Sequence, residues 1–358
     1  MSLKVYPTAL FKDRDIEHFS NCGYTTHTFW KNSIEKYGNV EVVDIQECDV
    51  ICLFVTCLGN SYIFDLDKSE LIKKYNKPVV IFDFSEYGGH ETTPLSQYNL
   101  YGYKIEHVGL LEGDYVHLHA FLIEIQSLIK CYFKRELSII NDLTAIPFKL
   151  FPLEFIADEY TFNGIPDTRD EYYSRQCLMN FIWGYSNLSR PHLHGGILQS
   201  MELFRSHFAL SFRQAIEYLK GSDKFILLVN HDWYERVDCK SLIDMQKKSR
   251  MVIDLYGCGL KCFRNVEATN NCLSVKQDPT KLIFTYPWID GVNCICVPTL
   301  NNSNLVDVDS AVKILLTYRH EKQNLLYDLY LNSLETNSKY SPKNYVPNHV
   351  IKNIEMVF

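Results

Sequence analysis

The first half of the chain alternates short apolar runs with polar or amphipathic segments. An amphipathic stretch at 28–36 precedes the runs "VEVVDI" and "DVICLFVTCLG", and a polar segment from Lys68 to Lys74 precedes "KPVVIFDFSEYGGH". Nearly continuous apolar runs of this length are typical of parallel strands that are buried on both faces. A longer pattern at 117–137, ending in "CYFKREL", predicts a helix, and "PFKLFPLEF" predicts a further strand.

The second half repeats this alternation more regularly. The runs "MNFIWGYS", "KFILLVNH" and "RMVIDLYG" predict strands that are each followed by a helical pattern, and "CLSVKQ" and "NCICVP" predict two more short strands. Between the halves, "TFNGIPDTRDEYYSRQ" has the composition of a linker. A predicted helix from about Val308 to Leu334 and a polar tail close the chain.

Strands that alternate with helices form β-α-β units around a parallel sheet. Two such halves predict an α/β protein with two doubly wound, Rossmann-like domains and a cleft between their strand ends. We place the first domain at residues 1–165, the second at 166–335 and the tail at 336–358. The length of 358 residues agrees with two domains, because single cores stop growing at about 250–300 residues.

Composition and charge narrow the class of protein. Apolar residues make up 46% of the chain and charged residues 22%, which is typical of a soluble globular protein. The net charge of −7 does not support a generally basic surface, so we expect no nucleic-acid partner. Charged residues from Lys4 to Asp15 interrupt any signal-peptide core, and no apolar run reaches the roughly 18 residues of a membrane span. We therefore expect a cytoplasmic protein.

Twelve cysteines are scattered along the chain, several of them inside apolar runs that predict strands. Without a secretory signal, this distribution favours free thiols in a reducing compartment over a disulfide framework. The sequence contains no C-x-x-C pair, so the cysteines near residue 260, and Cys272 after them, are better explained as small core residues than as zinc ligands.

The segment "YGCGLKCFRNVEA" carries the densest group of chemically useful residues. Gly257 and Gly259 follow an apolar run and precede a helical pattern. Glycines let the backbone approach a phosphate closely, and the start of a helix offers unpaired N–H groups and the positive end of its dipole. Lys261 and Arg264 add positive charge, and an arginine can bind phosphate oxygens bidentately. Glu267 shares a helix face with Arg264 and offers a carboxylate to ribose hydroxyls.

An ordinary strand–turn–helix corner with a surface Arg264–Glu267 pair explains the same residues. The G-x-G-x-x-G fingerprint of dinucleotide sites is not completed, and no G-x-x-x-x-G-K-[ST] loop occurs. These absences argue against a dehydrogenase and a P-loop kinase. On the residue types alone, the nucleotide site and the structural corner both stay open.

A longer stretch, "SRMVIDLYGCGLKCFRNVEATNNCLSVKQD", resembles the donor-binding segment of GT-B glycosyltransferases, particularly bacterial and viral group-1-like and exostosin-like members. In that segment a strand and a glycine turn precede an R-x-x-E-type helix and a short strand. The resemblance implies that Arg264 contacts the donor diphosphate and Glu267 its ribose. It extends loosely over the chain from Lys134 onward, and it departs from the family at 268–272, where a glycine-containing stretch is usual.

Two further pairs of residues are candidates on the same fold. Arg190 and Gly195 lie between the first predicted strand of the second half and its first helix, where they can contact a diphosphate. A solvated turn explains them equally well. Asp83 and Glu86 end a predicted buried strand of the first half and are candidate general bases for an acceptor hydroxyl. Helix capping and solvation is the alternative for these two carboxylates.

Two D-x-D strings, at 65–67 and 307–309, have the spacing that metal-dependent glycosyltransferases of another fold use to hold Mn²⁺. Both precede predicted helices, and Asp309 or Ser310 is expected to cap the second of these helices. We therefore predict chemistry without a metal ion or a bound cofactor.

The resemblance, taken together with these patterns, implies a metal-independent glycosyltransferase of the hexosyl- or pentosyl-transferring class. It moves a sugar from a nucleotide-diphosphate sugar on the second domain to a hydroxyl of a glycan or other acceptor on the first, and domain closure excludes water. The final helix is expected to cross back to the first domain. The alternative is a catalytically inactive protein of the same fold that acts as a binding or scaffold protein, in which Asp83 and Glu86 tolerate neutral substitution.

Overall fold

The computed structural model describes residues 2–10, 29–55, 67–84, 121–135, 137, 148–154, 165–184, 224–230, 239–254, 268–299 and 306–358. Within these residues the chain forms two separate β-sheets, one from each half of the sequence. Every strand pairing in both sheets is parallel. The parallel α/β architecture that the apolar runs predict is therefore confirmed.

The strands of the first sheet come from the first 152 residues. They are β1 Leu3–Ala9, β2 Val40–Val42, β3 Val50–Val55, β4 Val79–Asp83, β5 Ile129–Lys134 and β6 Lys149–Pro152. Their order across the sheet is β2-β1-β3-β4-β5-β6. The strands of the second sheet are β7 Cys177–Gly184, β8 Lys224–Asn230, β9 Ser249–Asp254, β10 Leu273–Gln277 and β11 Ile295–Val297. Their order is β11-β10-β9-β7-β8.

The two sheets share one topology. Counted within its own half, each sheet has the order 2-1-3-4-5, and the first sheet adds a sixth strand at its edge. In this doubly wound order the chain leaves the first strand toward one edge and later returns to build toward the other. The prediction of two doubly wound units is thus confirmed by the strand pairings.

Alternate residues of the central strands enter opposite faces of the first sheet. Cys52 and Phe54 of β3 belong to a core cluster on one face, and Ile51 and Leu53 belong to a cluster on the other. Because successive side chains of a strand point to opposite faces, a strand that is covered on both sides must be apolar throughout. This double burial explains the uninterrupted run in β3.

The helices connect the strands and cover the sheets. A π-helical turn, Trp30–Ile34, leads into α1. The described α-helices are α1 Glu35–Tyr37, α2 Lys68–Tyr75, α3 Arg169–Ser174, α4 Cys239–Lys247, α5 Val308–His320, α6 Leu326–Ser338, α7 Pro342–Tyr345 and α8 Lys352–Glu355. In the described part of the chain no helix has the length and apolar content needed to cross a bilayer.

The prediction of one helix over 117–137 is wrong for the part that the structure describes. Residues 121–125 are helical, but Ile129–Lys134 forms strand β5, which is buried at five of its six positions. A short apolar run in a buried strand has the same appearance as one turn of a buried helix, so periodicity alone does not separate them. Lys134 and Arg135, whose predicted place was a helix end, accordingly lie at a strand end and are both buried.

The predicted linker contains a helix with a capping box. Thr168 precedes α3, its hydroxyl accepts from the Glu171 backbone N–H, and the Glu171 carboxylate accepts from the Thr168 N–H at 2.7 Å. The Thr168 hydroxyl also donates to the Glu171 carboxylate at 2.7 Å, and this bond together with the one from the Thr168 N–H lowers the pKa of Glu171. Such a reciprocal cap starts a helix efficiently because it satisfies two orphan donors at once. The local sequence "TRDE" therefore outweighs the Gly and Pro residues that indicated a linker.

Arg175, which follows α3, ties this helix to the second sheet. Its Nε donates to Asp167 Oδ2 at 2.8 Å, and its Nη1 donates to the carbonyls of Ser249 and Asn271 at 2.6 and 2.7 Å. Its Nη2 donates to the Tyr330 hydroxyl of α6 at 3.2 Å. One buried guanidinium thus joins α3, the start of β9, the turn before β10 and α6.

The end of the chain differs from its prediction. The helix expected over Val308–Leu334 is two helices, α5 and α6, and the expected polar tail at 336–358 contains α7, a second π-helical turn at Val346–Ile351, and α8. Residues from this segment join the core of the first sheet. They are Tyr340, Tyr345, Val346, Val350, Ile351 and Ile354. The expected return to the first domain is therefore made by the segment after α6.

Hydrogen bonds fix this returning segment to the end of β6. The Tyr345 hydroxyl accepts from the Glu154 backbone N–H at 3.1 Å, and His349 Nε2 donates to the Pro152 carbonyl at 2.8 Å. The Glu154 carboxylate accepts from the Thr285 N–H at 3.0 Å. Three parts of the chain that are far apart in sequence meet at this point. The boundary that we place at residue 165 stays a prediction.

Candidate functional site

The carboxyl ends of the strands define where a ligand would bind. In open α/β sheets, ligands bind outside these ends at the point where the strand order reverses. In the second sheet that point lies between β7 and β9, which are paired neighbours. β7 ends at Gly184 and β9 ends at Asp254.

A buried ion pair stands at this edge of the second sheet. Lys276 of β10 is the register partner of Asp254, and its Nζ lies 2.7 Å from Asp254 Oδ2. The two side chains are 3% and 0% exposed. The Lys276 ammonium also lies 4.1 Å from the centre of the Trp288 ring, within cation–π distance. This arrangement holds the last residue of β9 in a defined position.

A second buried ion pair stands at the carboxyl edge of the first sheet. Asp83, the last residue of β4, is the register partner of Lys134, the last residue of β5. Lys134 Nζ lies 3.2 Å from Asp83 Oδ2, and the Tyr132 hydroxyl donates to the same oxygen at 2.6 Å. The side chains of the pair are 0% and 2% exposed.

Asp83 is the one candidate site residue from the sequence that the structure describes. It is neither a solvated group nor a helix cap, which was the alternative to its role as a base, because it is buried in an ion pair. The role of Asp83 as a general base stays a prediction. The other candidates lie outside the described residues: Glu86, Arg190, Gly195, Gly257, Gly259, Lys261, Arg264 and Glu267.

Each D-x-D string contributes the N-cap residue of a helix. Asp307 is the N-cap of α5 and accepts from the Ser310 N–H at 3.1 Å, so the cap lies two residues before the predicted Asp309. The Ser310 hydroxyl also donates to Asp307 Oδ2 at 2.7 Å, and these two bonds lower the pKa of Asp307. Asp67 occupies the N-cap position of α2. Among the residues that the structure describes, no group of three or more His, Cys, Asp or Glu side chains is placed to hold a metal ion.

The cysteines of the described segments are free thiols, as expected. Cys272, at the start of β10, donates its S–H to the Gln246 carbonyl at 2.9 Å. Burial raises the pKa of Cys272 to about 12, so the group is a neutral thiol near pH 7. The interpretation of Cys272 as a small core residue is confirmed.

Sequence reasoning missed Lys276, Trp288 and the role of Asp254. Asp254 ends an otherwise apolar run, and Lys276 stands near the end of the next predicted strand, so both break the apolar pattern at the same end of neighbouring strands. Polar residues at that position were the available signal. The pairing of Asp254 with Lys276 depends on the register between β9 and β10, and the sequence pattern does not predict that register.

The chain thus has an α/β fold of two doubly wound parallel sheets, each with a buried Asp–Lys pair at its carboxyl edge. Its fold is similar to an α-glucosyltransferase in complex with UDP-glucose and DNA containing an abasic site, at 11% identity and a TM-score of 0.47 over 100% of both chains. It is also similar to Anabaena HepE in complex with UDP and glucose, at 9% identity and a TM-score of 0.48 over 99% of this chain and 100% of the other.

A third similar structure is the α,α-trehalose 6-phosphate synthase of Burkholderia multivorans, at 8% identity and a TM-score of 0.48 over 100% of this chain and 99% of the other. At such values no residue of this chain is equated with a residue of those proteins. No protein-family model matches the chain, and no curated protein matches it.

Proposed function

We propose that this chain is a glycosyltransferase of the GT-B type, which moves a sugar from a nucleotide-diphosphate sugar to an acceptor hydroxyl without a metal ion. The donor binds at the carboxyl edge of the second sheet. Arg264 and Arg190 neutralise the leaving diphosphate, a task that a divalent ion performs in other enzymes. Glu267 binds the ribose, and the turn with Gly257 and Gly259 admits the phosphates.

The observation that carries this proposal is the strand order of the second sheet. β7 and β9 flank the point where the order reverses, and the chain continues from their ends into the segments 185–196 and 255–267. These two segments contain all the donor-binding residues inferred from the sequence. The strands that precede these two segments are neighbours in the sheet, which is what supports the proposal.

The ion pair at the end of β9 supports the same assignment. Asp254 is the last residue before that segment, and Lys276 and Trp288 hold it in place. Oriented charges stabilise a transition state only if the structure that supports them is rigid, because mobile groups must first reorganise at a cost in free energy. We therefore assign the pair to positioning the start of the 255–267 segment.

The first experiment is a thermal-shift series with the purified chain. UDP, GDP, CDP, ADP, dTDP and NAD are each added with EDTA and with Mg²⁺ or Mn²⁺. A ligand that binds only the native state stabilises it by about 2.7 kcal/mol at a hundredfold excess over its Kd. We expect one nucleoside diphosphate to raise the Tm equally with EDTA and with metal.

Arg264→Ala is the decisive variant. We expect it to abolish both the shift and sugar transfer while the Tm of the unliganded protein stays within about 2 °C, because a charged group that serves to bind a ligand contributes little to a core. Lys339→Ala is the control, since it removes one exposed cation that pairs with Glu335 on α6. A nucleotide shift that survives in Arg264→Ala, or the absence of any shift in the wild type, would contradict the proposal.

A catalytically inactive binding protein is the second candidate function. The burial of Asp83 in its pair with Lys134 favours it, because a carboxylate that is only 2% exposed is closed off from an acceptor hydroxyl. Glu86→Gln separates the two candidates. Loss of donor turnover with nucleotide binding retained supports the enzyme, whereas nucleotide binding without any turnover in the wild type supports the inactive protein.

A further inference from the structure

Cationic side chains converge at the amino edge of the second sheet, opposite the candidate donor edge. Arg250 is the second residue of β9, Arg169 begins α3, and Arg319 lies in the last turn of α5, where its Nη1 donates to Nε2 of the neighbouring His320 at 2.8 Å. They come from three separate elements and are brought together only by the fold. The chain as a whole has a net charge of −7, so this is a local excess of positive charge.

Two adjoining cavities lie among these side chains. The smaller has a volume of about 200 Å³ and is lined by Arg250, Arg319, His320 and Gln323, together with two leucines. The larger has a volume of about 590 Å³, and its lining includes Arg169, His320 and Gln323. His320 and Gln323 line both cavities, so the two cavities are adjacent. The smaller cavity is of the size of a phosphate group and the larger has room for an attached sugar.

Hydrogen bonds to backbone carbonyls orient two of the guanidinium groups in this region and use only some of their N–H donors. Arg250 Nη2 donates to the Tyr173 carbonyl at 2.6 Å, and Arg169 Nη2 donates to the Asn324 carbonyl at 2.9 Å. A guanidinium carries five N–H donors. The buried Nε of Arg250 makes no hydrogen bond to any residue that the structure describes. An oxyanion beside Arg250 would supply the acceptor that this buried donor requires.

The charges that line the cavities select the ligand. Among the residues that the structure describes, three arginines and one acidic residue, Glu321, line the two cavities. The helix dipole also favours a cation at the position of Arg319, whereas Arg250 and Arg169 lie over the rings of Tyr173 and Tyr327, each at 5.7 Å. Planar guanidinium groups match the oxygens of a phosphate bidentately.

We propose that these cavities bind a phosphate group, either of free phosphate or of a phosphorylated sugar. The site stands on residues separate from those of the proposed donor site and does not depend on the proposed function. Because the amino edge of β9 is one strand length from Asp254, a phosphate here would act on the second domain as an effector and not as a reactant.

Isothermal titration calorimetry of the full chain at constant ionic strength tests this inference. Inorganic phosphate and glucose 6-phosphate are the probes, and chloride is the reference anion. We expect saturable binding, weakened about tenfold or more in Arg319→Gln and, separately, in Arg250→Gln, because each removes one charge-assisted contact. Lys322→Gln, which removes a neighbouring cation that lies over Tyr318 outside the cavities, is expected to bind as the wild type does.

The outcomes separate the sources and the sites. Tighter binding of glucose 6-phosphate than of phosphate supports the site with a sugar in the larger cavity, and equal binding supports the site with free phosphate as its ligand. Binding that is lost in Arg264→Ala and retained in both Arg319→Gln and Arg250→Gln would place the phosphate at the donor segment and overturn the inference. Absence of saturable binding in the wild type would also overturn it.

Discussion

The two sheets share the strand order 2-1-3-4-5, and each carries an Asp–Lys pair between register partners. The residue that contacts the pair in addition differs between the two sheets. In the first sheet the Tyr132 hydroxyl donates to the Asp83 carboxylate. In the second sheet the Trp288 ring lies against the Lys276 ammonium. The extra partner therefore supports the anion in one sheet and the cation in the other.

This difference has an energetic consequence. A buried charge that loses its partner carries its full desolvation cost unless another group compensates it. If Lys134 is removed, the Tyr132 hydroxyl still donates to Asp83. If Lys276 is removed, both its ion pair with Asp254 and its contact with the Trp288 ring are lost, because both are made by the same ammonium group. The first pair should consequently tolerate the loss of its lysine better than the second.

The sheets differ most in what covers them, and this gives the largest expected effect. Deletion of residues 340–358 removes six side chains from the core of the first sheet. Each buried side chain of this size contributes about 1.5–3 kcal/mol, and a domain has only about 5–15 kcal/mol of net stability. We expect the first sheet to lose its slow amide hydrogen exchange while β9 and β10 of the second sheet keep theirs.

A shorter deletion is the control for that experiment. Removal of Phe358 alone takes away a side chain that is 56% exposed. Exposed apolar side chains contribute little to a core, so exchange in both sheets should match the full chain. Protection of the first sheet that survives the longer deletion would show that the segment merely rests on the sheet.

Removal of either lysine tests the comparison of the ion pairs directly. We expect Lys276→Met to lower the free energy of unfolding by about 3–5 kcal/mol, since it removes the ammonium that pairs with the buried Asp254 carboxylate at 2.7 Å. Lys134→Met should cost about 1.5–3 kcal/mol less, the worth of a hydrogen bond to a charged group, because Tyr132 still donates to Asp83. Urea unfolding followed by circular dichroism measures both.

The Tyr132 contribution is isolated by a double variant. In Lys134→Met combined with Tyr132→Phe, the loss should reach that of Lys276→Met. Lys339→Met is the matched control, because its pair with Glu335 is exposed and such pairs contribute little. Equal losses in Lys134→Met and Lys276→Met would mean that the phenol does not compensate Asp83.

The parts of the fold that the sequence predicted well are the strands with continuous apolar runs. β3, β4 and β9 lie where the runs lie, because a strand that is covered on both faces leaves few polar positions to confuse the pattern. β5 was assigned to a helix because its short run fits either period. The C-terminal segment was taken for a tail because its core contacts come from tyrosines such as Tyr340 and Tyr345 among polar residues.

The site was predictable in position but not in its contacts. Asp83 was singled out because a carboxylate at a strand end is visible in the sequence. Its partner Lys134 was assigned to a helix end, and Lys276 was not singled out, because their distances from Asp83 and Asp254 depend on pairing between strands that are 51 and 22 residues apart. Register of this kind is set by the packing of the whole sheet.

The smallest expected effect concerns alkaline pH, to which both regions are sensitive for the same reason. Burial raises the pKa of Tyr345 beside the first sheet and of Tyr172 beside the second well above the usual value. Each phenol therefore contributes stability that is fully present below about pH 10, where the unfolded chain begins to lose its proton, and that falls by about 1.4 kcal/mol per pH unit above it. Above about pH 10, the free energy of unfolding should fall less steeply with pH in Tyr345→Phe and in Tyr172→Phe than in the wild type, by about 1.4 kcal/mol per pH unit in each variant. An alkaline limb identical to the wild type in Tyr345→Phe alone would mean that the C-terminal segment separates from the first sheet before its tyrosine ionises, and would make that contact the weaker of the two regions.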